Sequence, residues 1–319
     1  MPAAIEARGL VKTFGDLRAV DGLSFAVEEG EVWSLLGPNG AGKTTAIRII
    51  AGLTRPTEGE VLIKGTRAGA GAGAGHTLVG LCPQEIVIWE HLTVRENLRF
   101  IADLQDVPKR EAGKRADDLM ERLRLGEKQD QLAVSLSGGM KRRLNLALAL
   151  IHDPPLVVLD EPSAGLDPQS RIVVHDFISE LGKAEGKAVI LTTHEMDVAD
   201  RLSNRVAIID HGKLKVEGTP EKLKNTVGEG DTVVIRLREA ARAEEAAKIA
   251  AGVPGVKGAL AVSREIRFNA LNAVTLLKEV YSELERNSIA VEDASMRKNT
   301  LEDVFIAITG RALREEGQP

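Results

Sequence analysis

Residues Gly37 to Thr45 read GPNGAGKTT. The spacing of Gly37, Gly42, Lys43 and Thr44 is that of a phosphate-binding loop. Glycine lets a backbone turn its amides inward as a nest for phosphate oxygens. Gly37, Pro38, Asn39, Gly40, Ala41 and Gly42 are therefore the expected cradle. A helix starting at Lys43 adds the positive end of its dipole at the same place. The Lys43 ammonium is placed to reach the outer two phosphates of a nucleoside triphosphate. The Thr44 hydroxyl is placed to meet Mg2+, and Thr45 to donate to the innermost phosphate. A second stretch, PLVVLDEP, ends in Asp160 and Glu161. Asp160 suits the shell of the ion. Glu161 beside it suits a general base that polarises an attacking water. A third stretch, LSGGM, sets Ser137, Gly138 and Gly139 at the head of a helical run, KRRLNLALAL. A hydroxyl, two glycines and a helix N-terminus make a second turn able to face an anion.

These groups need a sheet and helices to hold them. EVWSLLGPNGAGKTTAIRIIAGL reads as buried strand, glycine loop and helix, and PLVVLDEP as another buried strand. IEARGLVKTF and RAVDGLSFAV are strands joined by a turn at Gly15–Asp16, and GEVLIKG is a short strand. Around residues 92–130 the periodicity is helical, with Thr93 and Glu96 spaced as a capping pair. KRRLNLALALIHDP is expected as a helix running to Pro154, RIVVHDFISELGKAEG and VADRLS as helices, KAVILTTHE as a strand, and NRVAIIDHGKLKVEG as a hairpin turning at His-Gly. Such alternation predicts an α/β domain with a largely parallel central sheet. The pattern changes across about 219–231. Beyond it the order is βαββαβ, a small ferredoxin-like α+β domain, closed by an amphipathic helix in TLEDVFIAITGRAL. The expected domains are 1–222 and 223–319. The run AGAGAGAG from Ala68 to Gly75 reads as a surface loop that tolerates length change.

Composition narrows the classes of function. The chain has 319 residues, enough for two domains, with 43% hydrophobic and 28% charged residues. A net charge of −5 gives no general attraction to nucleic acid, and 3% aromatics leave few bases-stacking platforms. The single cysteine, Cys82, allows no internal disulfide and fits a reducing compartment. The N-terminal MPAAIEARGL lacks a signal-peptide pattern, and no apolar run nears the ~18 residues of a spanning helix. The basic cluster Lys141 to Arg143 is expected on a solvated helix face.

Taken in order, the glycine loop, Gln84 in LCPQE, LSGGM, VVLDEP, SAGLDP and His194 in LTTHE resemble the ATP-binding subunit of an ABC transporter. The resemblance spans roughly residues 5–220. It implies a P-loop NTPase fold with a helical subdomain at about 85–150, ATP and Mg2+ as cofactors, and ATP hydrolysis. It implies that Ser137, Gly138 and Gly139 face the γ-phosphate of ATP held by a second subunit. By the same resemblance Gln84 contacts the ion and the attacking water, His194 contacts the γ-phosphate, Asp167 lies along a dimer interface, and Phe14 stacks on adenine. Met140 stands where the family most often has Gln, and Ser163 where Thr is frequent.

LSGGMKRRLNLALALIHDPPLVVLDEPSAGLDP and the ending TLEDVFIAITGRAL are similar to a branch of daunorubicin-resistance-type and sodium-efflux-type ATPases. That similarity implies an exporter motor at the cytoplasmic face of the membrane, paired with a second copy of itself and with separate permease subunits. The surface after Gln84, with Ile86, Ile88 and Trp89, is the expected seat of a permease segment. The competing reading is a soluble ATPase acting on ribosomes or DNA. A single glycine loop, no long coiled-coil insert and an acidic balance speak against it.

Overall fold

The computed structural model describes residues 3–68, 78–226 and 230–310. From residue 69 on, the alanine-glycine run lies outside them. The chain divides into two compact units, Met1–Glu217 and Gly218–Pro319.

In the first unit, β1 (Ile5–Phe14), β2 (Leu17–Val27), β4 (Glu58–Ile63) and β5 (Thr66–Arg67) form an antiparallel sheet ordered β2-β1-β4-β5. The second sheet carries the chemistry. It contains β3 (Val32–Leu36), β6 (Val79–Cys82), β7 (Leu156–Asp160), β8 (Ala188–Thr193), β9 (Arg205–Asp210) and β10 (Lys213–Gly218). Their order is β10-β9-β3-β8-β7-β6, and β9-β3-β8-β7-β6 are parallel. Every residue of β3, β7 and β8 is buried, as expected of strands covered on both faces. The strand ends therefore put Gly37, Glu161 and His194 at one edge of the sheet, where parallel sheets place ligand sites.

Helix α1 (Lys43–Ile50) starts after Gly42, whose φ of 103° only glycine adopts freely. Helices α2 (Val94–Leu104) and α3 (Lys109–Arg122) form the helical subdomain. The expected capping box opens α2: Glu96 N donates to Thr93 Oγ1 at 3.2 Å, and Thr93 N to Glu96 Oε2 at 2.8 Å. Helix α4 (Gly138–Leu148) ends six residues before Pro154, not at it. Turns follow, with Asp153 in the left-handed region at φ 59°. Helices α5 (Pro168–Lys183) and α6 (Met196–Leu202) complete the unit. One apolar core joins α2, α3, α4 and α5 to β7 and β8; another lies between the two sheets and includes Ile47 and Ile50 of α1.

In the second unit, α7 (Pro220–Thr226) occupies part of the stretch expected as a linker. Then come β11 (Asp231–Leu237), α8 (Ala243–Ala251), β12 (Lys257–Val262), β13 (Glu265–Ala270), α9 (Ala273–Arg286), β14 (Val291–Lys298) and α10 (Leu301–Thr309). The sheet order β12-β13-β11-β14, all antiparallel, is the ferredoxin-like arrangement. Val233, Ile235, Ile266 and Phe268 face α8 and α9 in its core.

Candidate nucleotide site

The glycine loop follows β3 and opens α1, as its sequence requires. Two of its glycines, Gly37 and Gly42, are also required by packing. A Cβ on Gly37 would sit 2.4 Å from the Ile209 carbonyl oxygen, and one on Gly42 would sit 2.2 Å from that of Ala19. The turn between β9 and β10 braces the loop: Gly212 N donates to Ala41 O at 2.9 Å, and Asp21 N donates to Gly212 O. Lys43 is buried, and its Nζ donates to Gly37 O at 2.7 Å and Pro38 O at 3.0 Å. Burial holds the ammonium below its usual range, against the opposing pull of Glu161 and Asp160. Asn39, Gly40 and Thr44 are exposed, and Thr45 is half-buried.

Glu161 is the meeting point of three other expected residues. His194 Nδ1 lies 3.0 Å from its Oε1, Gln84 Nε2 donates to Oε2 at 3.4 Å, and Lys43 Nζ is 3.9 Å from Oε1. The carboxylate is buried, while Gln84 and His194 are exposed. Asp160 is also buried, and the Thr192 hydroxyl donates to its Oδ1. Thr192 is a site residue that sequence reasoning passed over. Its Oγ1 also accepts from Glu161 N at 3.2 Å, so one side chain orders both acids. The pair of threonines before His194 in LTTHE was the available signal. Asp160 and the exposed Thr44 hydroxyl are hard oxygen donors. One carboxylate and one hydroxyl make the sparse set that fits Mg2+ when phosphates and waters complete its shell.

The other half of the expected site lies elsewhere. Ser137 caps α4, its Oγ accepting from Met140 N at 3.3 Å. Ser137 and Gly138 are exposed, and nothing lies within 4 Å of a Cβ built on Gly138. Gly139 differs, because its Cβ would meet Ser170 Oγ at 2.4 Å and Asp167 Oδ2 at 3.0 Å. The turn thus packs on the start of α5, where Asp167 is itself a cap, its Oδ1 accepting from Ser170 N at 2.9 Å. Met140 packs against the core of the helical subdomain. Phe14 ends β1, half-exposed, with Lys12 Nζ 5.1 Å from its ring centroid.

The expectation of a solvated basic face at Lys141 to Arg143 is corrected. Arg142 is 4% exposed, Lys141 pairs with Glu90 at 2.7 Å, and Arg143 donates to Leu123 O at 2.8 Å. Of the expected docking surface, Ile86 and Trp89 are exposed, but Ile88 packs on the helical core.

A strand, a glycine loop and a helix, with two acids at the end of a parallel strand one further along the sheet beyond β8, define a P-loop nucleoside triphosphatase. A family model described as ABC transporter matches residues 20–164. The daunorubicin resistance ATP-binding protein DrrA2 of Streptomyces coeruleorubidus is 38% identical over 96% of this chain and 95% of its own. The linearmycin resistance ATP-binding protein LnrL of Bacillus subtilis is 33% identical over 98% and 100%. A solved ATP-binding cassette, dimeric in a post-hydrolysis state with ADP and phosphate, superposes with a TM-score of 0.61 at 26% identity, covering 67% of this chain and 98% of that one. The chain belongs to the ABC transporter family. It is the ATP-binding, ATP-hydrolysing subunit of an exporter.

Proposed function

We propose that two copies of this chain close head to tail on two ATP molecules and that closure drives a separate permease. The observation that carries this reading is that the two half-sites stand on different elements. Lys43, Gln84 and His194 gather around the Glu161 carboxylate, whereas Ser137 and Gly138 are exposed, with open space before Gly138. An exposed hydroxyl and a bare glycine at a helix N-terminus suit the γ-phosphate of a neighbour's ATP.

On binding, Phe14 stacks on adenine, the backbone of residues 37–42 cradles the phosphates, and Lys43 exchanges the Gly37 and Pro38 carbonyls for phosphate oxygens. Thr45 donates to the α-phosphate. Thr44, Asp160 and Gln84 would hold Mg2+, which would supply neutralisation of charge on the phosphoryl oxygens. Glu161 takes the proton of the attacking water, while Gln84 orients that water and His194 steadies the γ-phosphate. Ser137, Gly138 and Gly139 of the partner complete the cradle, and Asp167 lies along the seam.

Among the described residues no helix is long and apolar enough to cross a membrane, so the permease reading rests on the family and on a groove. The groove, about 310 Å3, is lined by Leu53, Val87, Trp89, Ile101 and Leu148 beside Pro83. It suits a short cytoplasmic segment of the permease, which would hold the motor at the membrane surface. The relatives' names, daunorubicin resistance and linearmycin resistance, point to antibiotics as the exported class.

The test is the mass of Glu161→Gln in solution, with and without MgATP, by light scattering. Loss of the base should trap the closed pair, so an ATP-dependent doubling is expected. A protein that stays monomeric at saturating MgATP would sink the two-copy reading.

A further inference from the structure

We propose that Arg142 is a positioning residue for hydrolysis, the clasp that sets Gln84 and Glu161 at working distance. The inference rests on the reading of Glu161 as the base.

A guanidinium has five N–H donors. In Arg142 each finds a backbone carbonyl. Nε donates to Pro162 O at 3.1 Å; one terminal nitrogen donates to Pro83 O at 3.2 Å and to Gln84 O; the other donates to Asp160 O at 3.1 Å and to Glu161 O. These carbonyls belong to two segments, the loop after β6 and the end of β7 with the turn that follows it. The first carries Gln84 and the second carries Asp160 and Glu161, and the two side chains meet at 3.4 Å. Among the described residues no ion pair holds Arg142, so its buried charge is solvated by these carbonyl dipoles. Such a charge is a costly way to fill a core, and packing alone would be served by an apolar side chain.

The backbone of Glu161 shows what the clasp does. Its φ is 48°, a left-handed conformation uncommon for residues other than glycine. Such a conformation persists where its surroundings over-determine it. Arg142 holds the carbonyls of residues 160, 161 and 162, and Thr192 O and Oγ1 accept from Glu161 N. The carboxylate direction follows from that turn. Arg142 stands on α4, the helix opened by Ser137. A shift of α4 when the partner's ATP engages the Ser137 turn is therefore passed to both loops by one rigid group.

The experiment is MgATP hydrolysis by the full chain carrying Arg142→Lys or Arg142→Met, with ATP affinity measured separately. A kcat loss of about 10–100-fold is expected in both, the scale of a small misplacement of reacting groups. ATP affinity should stay within about threefold, because the phosphate cradle is untouched. Lysine should fail to rescue, since one ammonium cannot span five carbonyls on two loops. A lysine variant with wild-type kcat, or variants that lose affinity at unchanged kcat, would overturn the proposal. So would loss of the cooperative thermal transition in both variants, which would make Arg142 a keystone of the fold instead. Glu161→Gln separates the two ideas: if it turns over normally, the base assignment fails; if it is dead while the Arg142 variants are normal, only the clasp fails.

Discussion

Gly138 and Gly139 are neighbours in one turn, yet their missing side chains do different things. Gly139 is bare because Ser170 and Asp167 already occupy the space, whereas Gly138 faces open space. Gly138→Ala should hold or slightly raise thermal stability, because alanine in a helix lowers the entropy of the unfolded chain by about 0.4–1 kcal/mol. It should nonetheless abolish ATP-dependent dimerisation if the space belongs to a partner's nucleotide. Gly139→Ala should lose about 1–3 kcal/mol from overpacking. Chemical denaturation and light scattering of the two variants separate these effects. Equal stability losses would mean that both glycines serve packing alone. The types and spacing of the loop residues made their chemistry legible in sequence. Arg142 was hidden because a basic triplet suggests a wet surface, although it lies three, four and seven residues before the buried Asn145, Leu146 and Ala149. That helical period was the signal that charge obscured.

At the scale of elements, local signals worked where a helix announces its own start. Thr93–Glu96 and the Thr300 that opens α10 both form capping boxes. They failed where tertiary packing decides. β6 is four residues long and gains its definition from pairing with β7, and α7 has a single buried residue, Leu223. α10 also shows how a cap becomes a pH-sensitive support. Asp303 accepts from Arg297 at 2.9 Å and from Thr300 N at 2.9 Å. Burial pushes its carboxyl up, but these bonds outweigh it and hold the carboxyl below its usual value. A depressed folded value means the contribution is present above the unfolded value of about 3.9 and is lost as pH falls through the folded one. Asp303→Asn should therefore cost about 1.5–3 kcal/mol at neutral pH and nearly nothing below that window. Hydrogen exchange of the α10 and β14 amides in both proteins, followed from pH 7 down through the acid range, reads the difference: the gap should narrow as pH falls. A gap that keeps its size down to the acid unfolding of the parent protein would mean that the charge is irrelevant.

On the scale of the whole molecule, the proposed coupling passes the state of the nucleotide to a permease, and one helix lies behind both surfaces. α4 opens with Ser137, clasps the two catalytic loops through Arg142, and one turn later reaches the groove through Asn145. Asn145 Oδ1 accepts from Val87 N at 3.0 Å, and Nδ2 donates to Glu85 O at 3.3 Å. The segment after Gln84 is thus fixed from behind and open in front. Its outer face shows Ile86, Val87 and Trp89, with Trp89 set edge-on to Phe100 at a centroid distance of 4.6 Å. An apolar segment seated there would press on the backbone that positions Gln84 and, through Arg142, Glu161. Sequence showed that Ile86, Ile88 and Trp89 cluster; only the fold separates Ile88, which packs inward, from the others. A cysteine at Trp89→Cys in the assembled complex should crosslink to a cytoplasmic loop of the permease. Its yield should change with MgATP, while a control at Leu17→Cys, exposed beside Phe14, should not react. If Trp89→Cys meets no permease loop in either nucleotide state, the groove is not the docking seat, and the path through α4 would end at the partner's ATP.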